Sequence, residues 1–387
     1  MSAPSVEKIP PGVVTLEDHA RHAQTVLDAN AWAYFSGGAG DEITLRANRS
    51  AWDAQLLLPR VLQALAGGHT RTELLGRTLA HPILLAPVAY QRMAHPDGEL
   101  ASAYAAAALG AGMVLSTQSS IALETIAAAV IPESARGLLC FQLYLQHDRG
   151  FSLELVRRAE QAGYDALVLT VDAPTNGARD RERRANFRLP PGVSAVNLAG
   201  LAAAPTPALQ PGQSALFDGL LAHAPTWDDV AWLQAHTRLP ILLKGILHPD
   251  DARQAAALGL AGVIVSNHGG RTLDTTPATA AVLPRIKQAV GDMPVLVDGG
   301  IRRGTDVLKA VALGASAVLI GRPYVYGLAN AGAVGVAHVL RLLRDELEIA
   351  MALCGCATLA QAGPTVLFAQ NPGNSTIGIA NATDSYL

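Results

Sequence analysis

The stretch SNHGGRTLD, residues 266–274, places an imidazole (His268), a guanidinium (Arg271) and a carboxylate within nine positions, directly after an apolar run. An imidazole can take a proton, and a guanidinium fork can hold a carboxylate through two parallel hydrogen bonds. The same residues also fit a plain turn, with Gly269-Gly270 bending the chain, His268 packed at its edge and Arg271 facing water. Other polar residues separate the two readings. Gln142 and Tyr144 close one short apolar run, Thr170 and Asp172 the next, and Lys244 another. Ser266 and His268, then Asp298, close two more, and Arg322 follows the last. A lysine in such company can neutralise negative charge developing on a bound ring. VDGGIRRG and IGRP add glycines and arginines where backbone N–H groups and a helix N-terminus can hold a phosphate. Together these groups describe acid–base chemistry on a carboxylate-bearing substrate beside a phosphorylated cofactor.

The elements that must position them follow one pattern. Apolar runs occur at 83–90, 112–117, 137–144, 166–172, 240–246, 262–268, 294–300 and 317–322. Between them lie segments with helical spacing, several ending in glycine, such as DGELASAYAAAALG and FSLELVRRAEQAG. Repeated strand, helix and glycine is the mark of βα units on a parallel sheet, and eight units favour a closed (β/α)8 TIM barrel over an open doubly wound sheet. The polar residues then gather at the carboxyl ends of the strands, the face on which barrel enzymes build their sites. The expected organisation is a single domain over 1–387, with a helical preface and connecting loop over 1–82 and the barrel over 83–353. A Pro/Gly/Ala-rich insertion over 188–223, between the fourth and fifth strands, reads as a lid, and 354–387 as an extension.

Composition narrows the partners. Half the 387 residues are hydrophobic, enough for a sizeable core, and a net charge of -3 offers no basic field for nucleic acid or an anionic membrane surface. Cys140, Cys354 and Cys356 are too few for a disulfide framework and lack a histidine cluster at metal spacing, so no metal is expected. The N-terminal residues lack the pattern of a secretory signal, and no apolar run approaches the ~18 residues of a membrane span. The expected compartment is the cytoplasm.

Taken in order, YFSGGAGDEITLRANR, APVAYQRMAHPDGELA, FQLY, LTVDAP, LLKGI, SNHGGRTLD, the run from VDGGIRRG to IGRP, and MALCGC resemble the FMN-dependent α-hydroxy-acid oxidase/dehydrogenase family. That family includes glycolate oxidase, lactate oxidase and mandelate dehydrogenase, and the resemblance runs from about residue 15 to 360. It implies FMN as cofactor and oxidation of an (S)-2-hydroxy acid to the 2-oxo acid, with electrons passing on to oxygen or another acceptor. By the same resemblance His268 is the base, Asp172 orients it, Arg271 and Arg179 bind the substrate carboxylate, and Tyr34 and Tyr144 hydrogen-bond substrate oxygens. Lys244 would stabilise the reduced ring; Ala89, Ser116, Gln142, Thr170 and Ser266 would line it. Asp298, Gly300, Arg302, Gly321 and Arg322 would hold the ribityl chain and phosphate. Where glycolate oxidase-like members carry an aromatic, this chain has Gln118, which points to a bulkier acid and to the 4-hydroxymandelate oxidase branch. Family members are commonly homotetramers or homo-octamers. Other FMN-barrel oxidoreductases or isomerases share the phosphate loops without needing His268 and Arg271 beside Asp172. A non-catalytic flavin-binding protein would need none of the set.

Overall fold

The computed structural model describes residues 7–204 and 209–368. Two short strands, β1 (Thr72–Leu74) and β2 (Arg77–Leu79), precede eight longer-range ones: β3 (Ile83–Leu85), β4 (Gly112–Leu115), β5 (Leu139–Leu143), β6 (Ala166–Thr170), β7 (Ile241–Ile246), β8 (Gly262–Val265), β9 (Val295–Val297) and β10 (Ala317–Ile320). β3 to β10 are parallel and close into a barrel, β10 pairing with β3 from Val318↔Ile83 to Ile320↔Leu85. Each lies inside one of the eight apolar runs.

Helices α1 (Leu16–Val26), α2 (Ala29–Ser36) and α3 (Ile43–Ala54) form the preface. α4 (Gly98–Ala108), α5 (Leu123–Val130) and α6 (Arg149–Ala162) follow the first three barrel strands. The short α7 (Asp180–Arg184) and α8 (Trp227–Ala235) lie between β6 and β7. α9 (Pro249–Ala257), α10 (Thr279–Val290), α11 (Gly304–Ala312) and α12 (Arg322–Leu353) complete the ring. Local sequence sets several boundaries. Thr15 and Asp18 form a reciprocal capping box on α1, while Asp148 caps the start of α6 and Gly163, at φ +87°, ends it.

The barrel strands read as continuous apolar runs because both faces are buried. Leu84, Val114, Cys140, Val168, Leu242, Ile264, Leu296 and Leu319, one from each strand, pack inside the barrel, while their sequence neighbours pack against the helices. Leu74 and Leu79 of the β1–β2 hairpin join that inner cluster, where the sequence suggested only helices and a connecting loop. The hairpin escapes pattern reading because its strands are three residues long and its turn is Leu75-Gly76.

α12 is long and apolar enough by composition to cross a membrane, contrary to the sequence expectation. It breaks at Ala331–Gly332, and its buried face includes Leu328, Val336, Leu340 and Leu347. The described part of the extension packs too: Leu57 bridges to Leu367 and His69 to Thr358, whereas 369–387 lie outside the described residues. All three cysteines are buried and unpaired.

Candidate active site

The carboxyl ends of the strands open on a cavity of about 1190 Å³, lined from every barrel strand's end and from the insertion through Leu209, Ala215 and Leu220. At its centre stands His268, just after β8. His268, Gly269 and Gly270 take φ of 56°, 62° and 71°, a left-handed run that glycine tolerates and histidine rarely adopts. At Gly270 a Cβ would meet the Leu45 backbone N at 2.8 Å, so α3 packs directly on this turn. The turn brings His268 Nδ1 to 2.8 Å from Asp172 Oδ1 and leaves Nε2 facing Tyr144 Oη at 3.5 Å. Burial holds the imidazole below its usual pKa, so it rests neutral, with Nδ1–H donating to Asp172 and Nε2 free to accept a proton. Burial pushes the Asp172 carboxyl up, but the His268 imidazole beside it, which gains from the carboxylate whenever it takes a proton and donates a hydrogen bond to it, and the Lys244 charge bring it below its ordinary value. Gly245 makes the approach possible: at φ +110° it passes Asp172 so closely that a Cβ would lie 2.4 Å from the Asp172 Cβ.

Lys244, at the end of β7, is buried among Ser266, Asp298 and Asp172. Burial pulls its pKa down, but the charges of Asp298 and Asp172 carry it above the ordinary lysine value, so the cation persists. Ser266 Oγ donates to Asp298 Oδ2 at 2.9 Å and accepts from Lys244 Nζ and the His268 backbone N, each at 3.0 Å. Ser266 is fully buried and does not line the cavity, contrary to its expected place against the ring; it braces Lys244, Asp298 and His268 from behind. Asp172 likewise stands behind His268 rather than on the cavity wall.

Arg271 and Arg179 converge from the β8 and β6 loops. Arg271 Nη1 donates to the Tyr34 and Gly37 carbonyls at 2.6 and 2.8 Å, and its guanidinium lies 5.0 Å over the Tyr34 ring. Tyr34 also stacks on Phe187, centroids 4.9 Å apart. Burial pushes the Tyr34 hydroxyl up to about 12 and the Tyr144 hydroxyl above its usual value, keeping both as hydrogen-bond donors. Glu182, which the sequence reading did not single out, accepts from Arg271 Nη2 at 3.0 Å and lies 3.6 Å from Arg179 Nη1. It hides in the run DRERR, which reads as a solvated charge cluster.

The remainder of the cavity fits a phosphorylated flavin. Gln142 Nε2, Thr170 Oγ1 and Asp298 Oδ1 are buried without a partner among the described residues, an arrangement that costs ~1–3 kcal/mol per group unless a ligand satisfies it. Ala89, Ser116, Gln118, Gly300 and Arg302 line the same space. Gly321 has nothing closer than 3.9 Å where a Cβ would stand, so the glycine leaves open space beside the cavity at the start of α12. Among the described residues the Arg302 guanidinium makes one hydrogen bond, to the Ile301 carbonyl, and its other N–H groups can meet a phosphate. Arg322 lines the cavity and has protein partners as well. Its Nε, Nη1 and Nη2 donate to the carbonyls of Phe35, Gly269 and Gly37 at 2.7–3.0 Å, so it also clamps the end of α2 to the His268 turn.

A model of the FMN-dependent dehydrogenase family matches residues 23–369. The chain belongs to that family. L-lactate oxidase of Alicycliphilus denitrificans is 52% identical over 357 residues, covering 92% of this chain and 96% of the relative. Glycolate oxidase of Spinacia oleracea is 42% identical over 95% of this chain and 99% of the relative. Among solved structures, mandelate oxidase with (S)-2-phenylpropionate superposes at a TM-score of 0.81 with 45% identity, over 92% of this chain and 98% of that one. Membership of the FMN-dependent dehydrogenase family makes the chain an oxidoreductase with FMN as its cofactor, and the unpartnered buried groups of Gln142, Thr170 and Asp298 beside Lys244 and Arg302 are residues that could hold it.

Proposed function

We propose that the protein oxidises an (S)-2-hydroxy acid to the 2-oxo acid and passes the electrons through FMN to oxygen or another acceptor. The observation that carries this reading is the free Nε2 of His268, backed by Asp172 at 2.8 Å and set beside the Arg271–Arg179 pair at the cavity. FMN, when bound, supplies the two-electron acceptor. Arg271 and Arg179 hold the substrate carboxylate, and Tyr34 and Tyr144 hydrogen-bond its oxygens. His268 Nε2 takes the hydroxyl proton, and Asp172 stabilises the imidazolium that results. Lys244 sets a fixed positive charge against the developing negative charge at the ring.

Gln118 on the cavity wall, where glycolate oxidase-like members carry an aromatic, supports a bulky, aryl-bearing acid such as mandelate. The 52% identity to L-lactate oxidases supports a second reading, a short-chain acid. A panel of glycolate, (S)-lactate and (S)-mandelate, read as anaerobic bleaching of the flavin, separates them. The bulky reading expects mandelate to lead glycolate by roughly 10- to 200-fold, the range of ~1–3 kcal/mol in a hydrophobic pocket. Lactate or glycolate matching mandelate would overturn it. The buried thiols fit a reducing compartment, and we place the enzyme in the cytoplasm as a homotetramer or homo-octamer.

A further inference from the structure

Glu182 stands where the reading above needs a vacant arginine fork. Arg271 commits Nη1 to two backbone carbonyls, so the group it offers the cavity is Nη2, and Nη2 is bonded to Glu182 Oε1 at 3.0 Å. Arg179 is held more loosely: its Nη1 lies 3.6 Å from the same Oε1, and its Nε and Nη2 reach the Arg271 carbonyl and Asn176 at 3.5 and 3.4 Å. Two guanidiniums from different loops therefore share one carboxylate oxygen. The Glu182 side chain is mostly buried and lines the cavity, on a wall that also carries Tyr34 and Phe187. A substrate carboxylate placed between Arg271 and Arg179 would contend for the same N–H groups and would meet the Glu182 charge at close range, where like charges repel strongly.

Resting on the proposed 2-hydroxy-acid chemistry, we propose that Glu182 is a built-in counter-ion that occupies the carboxylate subsite in the free enzyme and is displaced from Arg271 by the substrate's carboxylate. In the free enzyme it keeps two buried cations compatible and their forks converged. Each acid that binds must exchange one carboxylate for another, so Glu182 sets the affinity for anionic ligands. It is a positioning residue, acting through the arginines, and takes no part in proton transfer.

The sign of its removal distinguishes this role from a merely structural one. In the FMN-bound enzyme, Glu182→Gln keeps the side chain's shape and an oxygen acceptor for Arg271 but removes the charge. The probe is 2-phenylpropionate, which has the carboxylate but no hydroxyl to oxidise, titrated by its perturbation of the flavin spectrum, beside its uncharged amide. Glu182→Gln is expected to bind the acid about tenfold more tightly than wild type and the amide with unchanged affinity. Glu182→Ala, the second variant should Gln fail to fold, is expected to shift the acid in the same direction. Acid binding that weakens or stays the same in both variants, or an equal gain for the amide, overturns this inference alone. A wild-type enzyme that binds neither 2-phenylpropionate nor propionate, the short-chain counterpart, overturns the 2-hydroxy-acid reading and this inference with it.

Discussion

At the scale of single residues, the chemistry rests on environments that no residue type specifies by itself. His268 is equipped to act as the proposed base because burial keeps it neutral while a 2.8 Å bond to Asp172 fixes which nitrogen carries the proton. That His268, Asp172, Arg271, Arg179, Tyr34 and Tyr144 come together was legible because strand ends and family motifs mark them. The partition of labour was not. Ser266 and Arg322 carry the expected residue types at the expected places, yet Ser266 is a brace behind the site, and Arg322, which lines the cavity, also bonds three carbonyls. Sequence fixes a residue's reach but not its competing partners. Backbone carbonyls freed at the end of α2 are invisible until the preface is folded onto the barrel mouth.

At the scale of elements, the site depends on how closely adjacent strands approach. β6 and β7 pair in register from Leu167↔Ile241 to Thr170↔Lys244, and beyond that point Gly245 lets the two chains converge on Asp172. In Gly245→Ala the added methyl would stand 2.4 Å from the Asp172 Cβ, on a backbone at φ +110° that disfavours alanine. The carboxylate must move, and with it the support of His268. A displacement near 1 Å can cost ~10²-fold in rate, so the variant should stay yellow yet reduce its flavin about 100-fold more slowly. Rapid-mixing absorbance measures both properties in one trace, and unaltered reduction would show that Asp172 does not need this approach. The eight barrel strands were legible because a strand buried on both faces is a short unbroken apolar run. The β1–β2 hairpin was not, since three-residue strands hold too few side chains to show alternation.

At the scale of the whole molecule, the preface is fastened to the barrel's outer ring by neutral histidines. Asn330 Nδ2 donates to His19 Nδ1 at 3.0 Å, which leaves His19 Nε2–H to donate to His338 Nδ1 at 2.9 Å, joining α1 to α12. Burial, with the neighbouring His338, lowers His19 to about 4, and burial lowers His81 to about 4. Both folded values lie below the unfolded value of ~6.5, so the unfolded chain binds protons first as the pH falls. Stability from these groups is complete above pH ~6.5 and is lost progressively as the pH drops towards 4, on the order of 2–3 kcal/mol per histidine. Urea unfolding at saturating FMN should therefore show a lower midpoint at pH 5 than at pH 7. Equal midpoints would mean that these histidines are already charged in the fold.

The central claim, that the His268 turn is a catalytic base and not a structural bend, is tested most directly by anaerobic flavin reduction in His268→Ala with the best acid of the panel. The account predicts a folded, yellow protein that still binds 2-phenylpropionate but reduces its flavin about 10²–10⁴-fold more slowly than wild type, the usual contribution of a positioned acid–base group. Reduction at the wild-type rate would contradict it and return SNHGGRTLD to the role of a turn.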